Sequence, residues 1–247
     1  MSNVAIEIKK LNKKFKLIHE PPLTFQKALH NFLRRKKNYQ EILALDNINL
    51  CIKKSESLGL IGANASGKTT LLRVIADIYE PTSGAVSIKG RVAPSLELGS
   101  GFCMEFTGIE NLYLYAAIFG LSRSQIKEKI SRIKEFSELG DFLDVPLRQY
   151  SFGMRMRLAF SLAVNLGADI LLIDEMLAVG DLAFKEKCFK KIKELKAQGV
   201  TFVLVSHNMD EISNLCERAV FLDHGQIKQD GPADEVIQGY RAFMGSK

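Results

Sequence analysis

No apolar run in this 247-residue sequence reaches the roughly 20 residues that a bilayer-spanning helix needs. The N-terminus, MSNVAIEIKK, lacks the apolar stretch of a secretory signal. A cytosolic protein is expected, with any membrane role exercised through a partner. The four cysteines, Cys51, Cys103, Cys188 and Cys216, include no Cys-x-x-Cys pair and no histidine at metal-binding spacing. They are expected to be free thiols, buried or half-buried, in a reducing compartment. Internal repeats, low-complexity segments and recognisable nucleic-acid modules are also missing. The formal charge of +6 is spread along the chain and decides little about partners.

What is present suits a globular protein. Hydrophobic residues make up 47% of the chain and charged residues 25%, and the length suits a single α/β domain. Ser57 to Ile61, Ile170 to Ile173 and Thr201 to Val205 are short apolar runs that read as buried parallel strands. Between the last two, Phe184, Cys188, Phe189, Ile192 and Leu195 recur at helical spacing, and Gly199 ends the pattern. Strand, helix, strand implies a largely parallel sheet. Residues 108–166 are helical in pattern, opened by a capping box of Thr107 with Glu110 and running through Tyr113, Ala116 and Ala117. This block is expected to be a helical subdomain inserted into the α/β core. Further on, AVFLDHGQIKQDG reads as a strand pair with a His-Gly turn, and PADEVIQGYRAF as a helix with Pro232 in its first turn.

Two motifs carry chemistry. Gly62-Ala63-Asn64-Ala65-Ser66-Gly67-Lys68-Thr69 matches the phosphate-binding pattern G-x-x-x-x-G-K-[ST], between a strand and a helix as that pattern requires. Backbone N–H groups at the loop and helix start converge on one spot that suits an anion. Lys68 is expected to reach the β- and γ-phosphates of ATP, and Thr69 to bind Mg²⁺. Gly62, Asn64, Ala65, Ser66, Gly67 and Thr70 complete the nucleotide-binding set. Ala65 stands where a further glycine is usual and is expected to avoid positive φ. The second motif is the strand Ile170 to Ile173 ending in Asp174 and Glu175, at the strand edge where α/β folds place ligands. Asp174 is expected to hold Mg²⁺, and Glu175 to accept a proton from the attacking water.

Tyr150-Ser151-Phe152-Gly153-Met154-Arg155-Met156-Arg157-Leu158-Ala159 resembles the signature of ABC-type nucleotide-binding domains. His207, after the strand TFVLV, matches the family's switch histidine, and Leu177 to Asp181 matches its D-loop. The resemblance runs from about Val4 to Tyr240. Glu97 to Phe102, Thr107 to Asn111 and Asp174 to Cys188 are similar to ATPases that export O-antigen, teichoic acid and related glycans on polyprenyl carriers.

The resemblance implies an α/β P-loop NTPase fold, one ABC nucleotide-binding domain over residues 1–247 with the helical insertion and an antiparallel β portion. It implies a homodimer in which Ser151, Gly153 and Asp181 act in trans on the partner's ATP, and His207 acts beside Glu175 in catalysis. Phe15 falls where the family stacks an aromatic ring on adenine; the alternative is a packed strand residue. Glu97 stands in for the absent glutamine of the Q-loop and joins Thr69 and Asp174 as a metal residue. Also implied are a separate polytopic membrane subunit, a peripheral place on the cytoplasmic face of the bacterial cell membrane, and no nucleic-acid partner. Some relatives carry a C-terminal carbohydrate-binding domain, and none is expected here.

Before the phosphate loop, residues of about 20–40 form an extra segment. Phe25, Ala28, Leu29, Phe32 and Leu33 have helical spacing after Thr24 as N-cap, and Arg34, Arg35, Lys36 and Lys37 follow. A solvated surface helix and a headgroup- or diphosphate-binding end are both compatible with this pattern; nucleic-acid binding is the third reading. At the level of function, the ATP-driven exporter stands beside two alternatives. One is a regulatory module that binds ATP but barely hydrolyses it, motivated by Ala65, Phe152 and the missing glutamine. The other is an ABC ATPase acting on DNA or ribosomes.

Overall fold

Neighbouring residues of a strand face opposite sides of a sheet, and that alternation builds the layers of this protein. The computed structural model describes residues 3–18, 39–95, 101–174 and 181–245. Its elements run β1 (Val4–Ile18), β2 (Tyr39–Lys53), β3 (Ser57–Ile61), α1 (Lys68–Ile75), β4 (Ser83–Ile88), β5 (Val92–Ser95), α2 (Gly108–Ile118), α3 (Arg123–Ser137) and α4 (Phe152–Asn165). Then come β6 (Ile170–Asp174), α5 (Leu182–Ala197), β7 (Thr201–Val205), α6 (Met209–Leu215), β8 (Arg218–Asp223), β9 (Gln226–Pro232) and α7 (Ala233–Gly245).

The main sheet has the order β5-β6-β7-β3-β8-β9. Every pairing is parallel except β8 with β9. Ile170, Leu172, Val203, Val205, Val220 and Leu222 pack on one face, against α1 and the antiparallel sheet β2-β1-β4. Leu171, Ile173, Phe202, Leu204, Ala219 and Phe221 pack on the other, in a core shared with the helices. Strands β3, β6 and β7 are buried on both faces, so they read as unbroken apolar runs. Gly59 in β3 lies so close to α6 that an added Cβ would come within 2.6 Å of Ile212 Cγ2.

Helices α2, α3 and α4 fill the stretch between β5 and β6, as the helical pattern predicts. The Thr107–Glu110 capping box is formed in both directions. Backbone amide and side-chain hydroxyl of Thr107 hold the Glu110 carboxyl below the usual carboxylate range. Gly199 closes α5 with φ of 83°, and His224-Gly225 make the β8–β9 turn. Two expectations need correction. Pro232 is the last residue of β9 and α7 begins at Ala233, because Pro232 still sits opposite Arg218 in the strand register. All four cysteines are free, but Cys51 is exposed: on β2 it alternates with the buried Leu50 and Ile52. Cys188 and Cys216 are buried, which pushes each thiol up to about 12.

The predicted amphipathic helix with Thr24 and Arg34 to Lys37, together with Glu97, Glu175 and Leu177 to Gly180, lies outside the described residues. Among the described residues no helix is long and apolar enough to cross a membrane.

Candidate functional site

Parallel register places the carboxyl ends of β6, β7 and β3 side by side, with Asp174 opposite Val205 and Val205 opposite Leu60. The residues that follow therefore share one edge: Asp174 ends β6, Ser206 and His207 follow β7, and the loop 62–67 follows β3. That loop turns sharply into α1. Gly62 has φ of 150° and Gly67 of 109°. A Cβ on Gly62 would lie 2.2 Å from Leu222 O, and one on Gly67 would lie 2.8 Å from Ala44 O. Both positions therefore require glycine.

Ala65 corrects the sequence expectation, for it adopts φ of 61°. Its side chain is exposed, so the methyl group meets only the local backbone cost of the left-handed region. Helix α1 starts without a side-chain cap, which leaves its first N–H groups available to a ligand. Lys68 is buried, and its Nζ donates to Gly62 O at 2.8 Å and Ala63 O at 2.9 Å. Ser66 Oγ is buried and has no hydrogen-bond partner among the described residues. Glycine cradle, buried ammonium and orphaned hydroxyl together fit a polyphosphate.

The loop opens on a cleft of about 430 Å³ lined by Phe15, Ile42, Leu43, Ala44, residues 64–70, His224 and Gly225. Phe15 is half-buried there. Its ring makes an edge contact with Tyr79 at 5.3 Å, Lys13 Nζ sits over both rings, and Arg73 donates to the Tyr79 hydroxyl at 2.9 Å. The β8–β9 turn is bonded to the loop and to β2: Gly225 N–H donates to Ser66 O at 2.9 Å, and Gly225 O accepts from Asp46 N–H at 2.8 Å. A larger cavity, about 590 Å³, lies at the other end of the sheet between Lys54, Asp169 and Gly199. It contains none of the candidate residues.

The cleft does not reach Asp174, His207, Ser151, Gly153 or Asp181. Asp174 is buried at its strand end, whereas His207 is exposed. Ser151 caps α4, accepting from Met154 N–H at 3.2 Å. Phe152 beside it is 68% exposed. Asp181 caps α5 through Oδ1, while its Oδ2 pairs with Arg157 of α4 at 2.7 Å. Sequence reasoning missed Arg157 and His224. Arg157 was visible only as part of the signature, and His224 only as a turn residue.

The model of the ABC transporter family matches residues 45–178, from β2 through the loop, the helical block and the acidic strand end. The chain belongs to the ABC transporter family. It is an ABC-type ATPase, and the loop 62–69 lies within the matched residues. It is 45% identical over 205 residues to the O-antigen export system ATP-binding protein RfbB of Klebsiella pneumoniae, covering 83% of each chain. It is 36% identical over 242 residues to the teichoic acids export ATP-binding protein TagH of Bacillus cereus, covering 98% of this chain and 43% of that protein. A solved dimeric ATP-binding cassette in a post-hydrolysis state with ADP and Pi shares the ABC fold with a TM-score of 0.74. That structure is 22% identical and covers 92% of this chain and 98% of its own.

Proposed function

We propose that this chain is the ATP-hydrolysing motor subunit of an exporter for a lipid-linked polysaccharide, O-antigen-like or teichoic-acid-like. The observation that carries this reading is the 45% identity to RfbB across 83% of both chains. The chain works as a peripheral subunit on the cytoplasmic face of the bacterial membrane, beside a separate polytopic subunit that forms the path.

On this reading two copies meet head to tail. Each ATP lies between the loop of one copy and Ser151 and the Gly153 N–H of the other, with Asp181 nearby. Lys68 exchanges its two carbonyl partners for β- and γ-phosphate oxygens, and the N–H groups at the start of α1 receive the rest. Phe15, backed by Tyr79, stacks on the base. Mg²⁺, when bound, neutralises phosphate charge, and the Thr69 hydroxyl, Asp174 and Glu97 are the residues to hold it. Glu175 accepts the proton of the attacking water, with His207 acting from the next strand. Hydrolysis releases the dimer and drives the membrane subunit.

The test is genetic and biochemical together. Loss of the protein is expected to remove surface glycan, and Lys68→Ala is expected to abolish both purified ATPase activity and rescue of that glycan. Normal surface glycan without the protein rejects the substrate class.

A further inference from the structure

We propose that Glu211 and Lys185 position the His207 loop and tie it to the start of α5. This rests on the reading of His207 as a catalytic residue. The residues on either side of His207 share one anchor. Ser206 Oγ donates to Glu211 Oε2 at 2.7 Å and accepts from Asn208 N–H at 3.0 Å. The other carboxylate oxygen, Glu211 Oε1, meets Lys185 Nζ at 3.1 Å. Ser206 is 5% exposed and Glu211 9%. A carboxylate so buried depends on its partners, and here the two partners come from different segments. One belongs to the His207 loop and the other to α5.

Lys185 stands one turn into α5, where its N–H bonds to Asp181 O at 3.0 Å. Asp181 caps the same helix and pairs with Arg157, six residues after Ser151 on the signature side. Polar contacts therefore run without a break from Arg157 through Asp181 and α5 to Lys185, Glu211, Ser206 and the backbone around His207. Neither Lys185 nor Glu211 lines the nucleotide cleft. Their contribution reaches ATP only through the loop they hold. A shift at the N-terminal end of α5, where Asp181 faces its proposed role in trans, moves the His207 loop with it. The pair thus links the composite site to the switch histidine within one chain.

The experiment is a double-mutant cycle in the full chain, with steady-state ATPase and fluorescent-nucleotide binding measured side by side. Glu211→Ala is expected to lower kcat by about tenfold while ATP affinity stays within about twofold. Glu211→Gln still accepts the Ser206 hydroxyl and is expected to lose less, and Lys185→Met is expected to fall between the two. In a His207→Ala background none of the three is expected to lower turnover further. If Glu211→Ala does not fold, Glu211→Gln and Lys185→Met carry the same cycle. Losses that multiply with His207→Ala, or variants with wild-type kcat, overturn the positioning role and leave the assignment of His207 standing. Wild-type turnover in His207→Ala alone overturns that assignment and this proposal with it.

Discussion

Within the loop 62–67, positive φ angles fall on Gly62, Ala65 and Gly67. Ala65 alone carries a side chain there, and it is exposed. A left-handed conformation costs a side-chain residue about 1–2 kcal/mol, and more when the side chain is β-branched. Ala65→Gly is therefore expected to keep ATP affinity within about twofold. Ala65→Val is expected to lower both the melting temperature and ATP affinity, and nucleotide titration with thermal melts reads both. Equal behaviour of the two variants counts against strain at this position. Glu175 belongs to the same scale. If it is the base, Glu175→Gln binds ATP like wild type, accumulates an ATP-stabilised dimer and loses steady-state hydrolysis; a rate near wild type rejects the assignment. The two glycines and Lys68 were legible because their motif is local and dictated by sterics. Ala65 misled the sequence reading because the tolerance of a methyl group depends on open space around it, which no local pattern records.

Helices α3, α4 and α5 are joined by charge. Arg157 on α4 bonds Glu138 at 3.0 Å and Asp181 at 2.7 Å, and its guanidinium lies 4.5 Å from the Phe184 ring centre. Lys187 on α5 meets Glu138 at 2.7 Å. The Lys187 hydrogen bond, with Arg157 adding to it, holds the Glu138 carboxyl below the usual carboxylate range. A carboxylate lowered in the folded state contributes stability above its unfolded value, near pH 4, and loses it as pH falls through the folded value. The melting-temperature gap between wild type and Glu138→Gln is thus expected to be open at neutral pH and to close in acid. A gap that widens on acidification contradicts the sign. Asp181 separates two further contributions. Asp181→Asn keeps the α5 cap and loses the charge facing Arg157, whereas Asp181→Ala loses both. The alanine variant is expected to fall below the asparagine variant by about 1 kcal/mol in denaturant unfolding. Strands β3, β6 and β7 were legible as short unbroken apolar runs, and helix α5 because its apolar residues recur at helical spacing. Ties such as Arg157 to Asp181 or Lys185 to Glu211 join residues of different elements, and a single sequence names the residues without the pairs.

Over the whole molecule, the candidate residues divide between two surfaces. Phe15, the loop 64–70 and His224 line the cleft. Ser151, Phe152, Asp181 and Leu182 stand apart from it, and Phe152 and Leu182 are 68% and 74% exposed. One chain therefore presents a cradle that fits a polyphosphate and, elsewhere, two helix starts, each with an exposed apolar side chain at its first residue. A site that uses both in a symmetric pair must draw the cradle from one copy and the helix starts from the other. Activity per subunit is then expected to rise with protein concentration in the isolated protein. Lys68→Ala and Ser151→Arg are each expected to be inactive alone, since both sites of either homodimer are damaged. Mixing the two variants makes heterodimers in which one site keeps Lys68 from the first chain and Ser151 from the second, while the other site has lost both. ATP hydrolysis is therefore expected to return on mixing and to scale with the heterodimer fraction. A mixture as inactive as its components, or full turnover by an isolated monomer, rejects a site shared between chains.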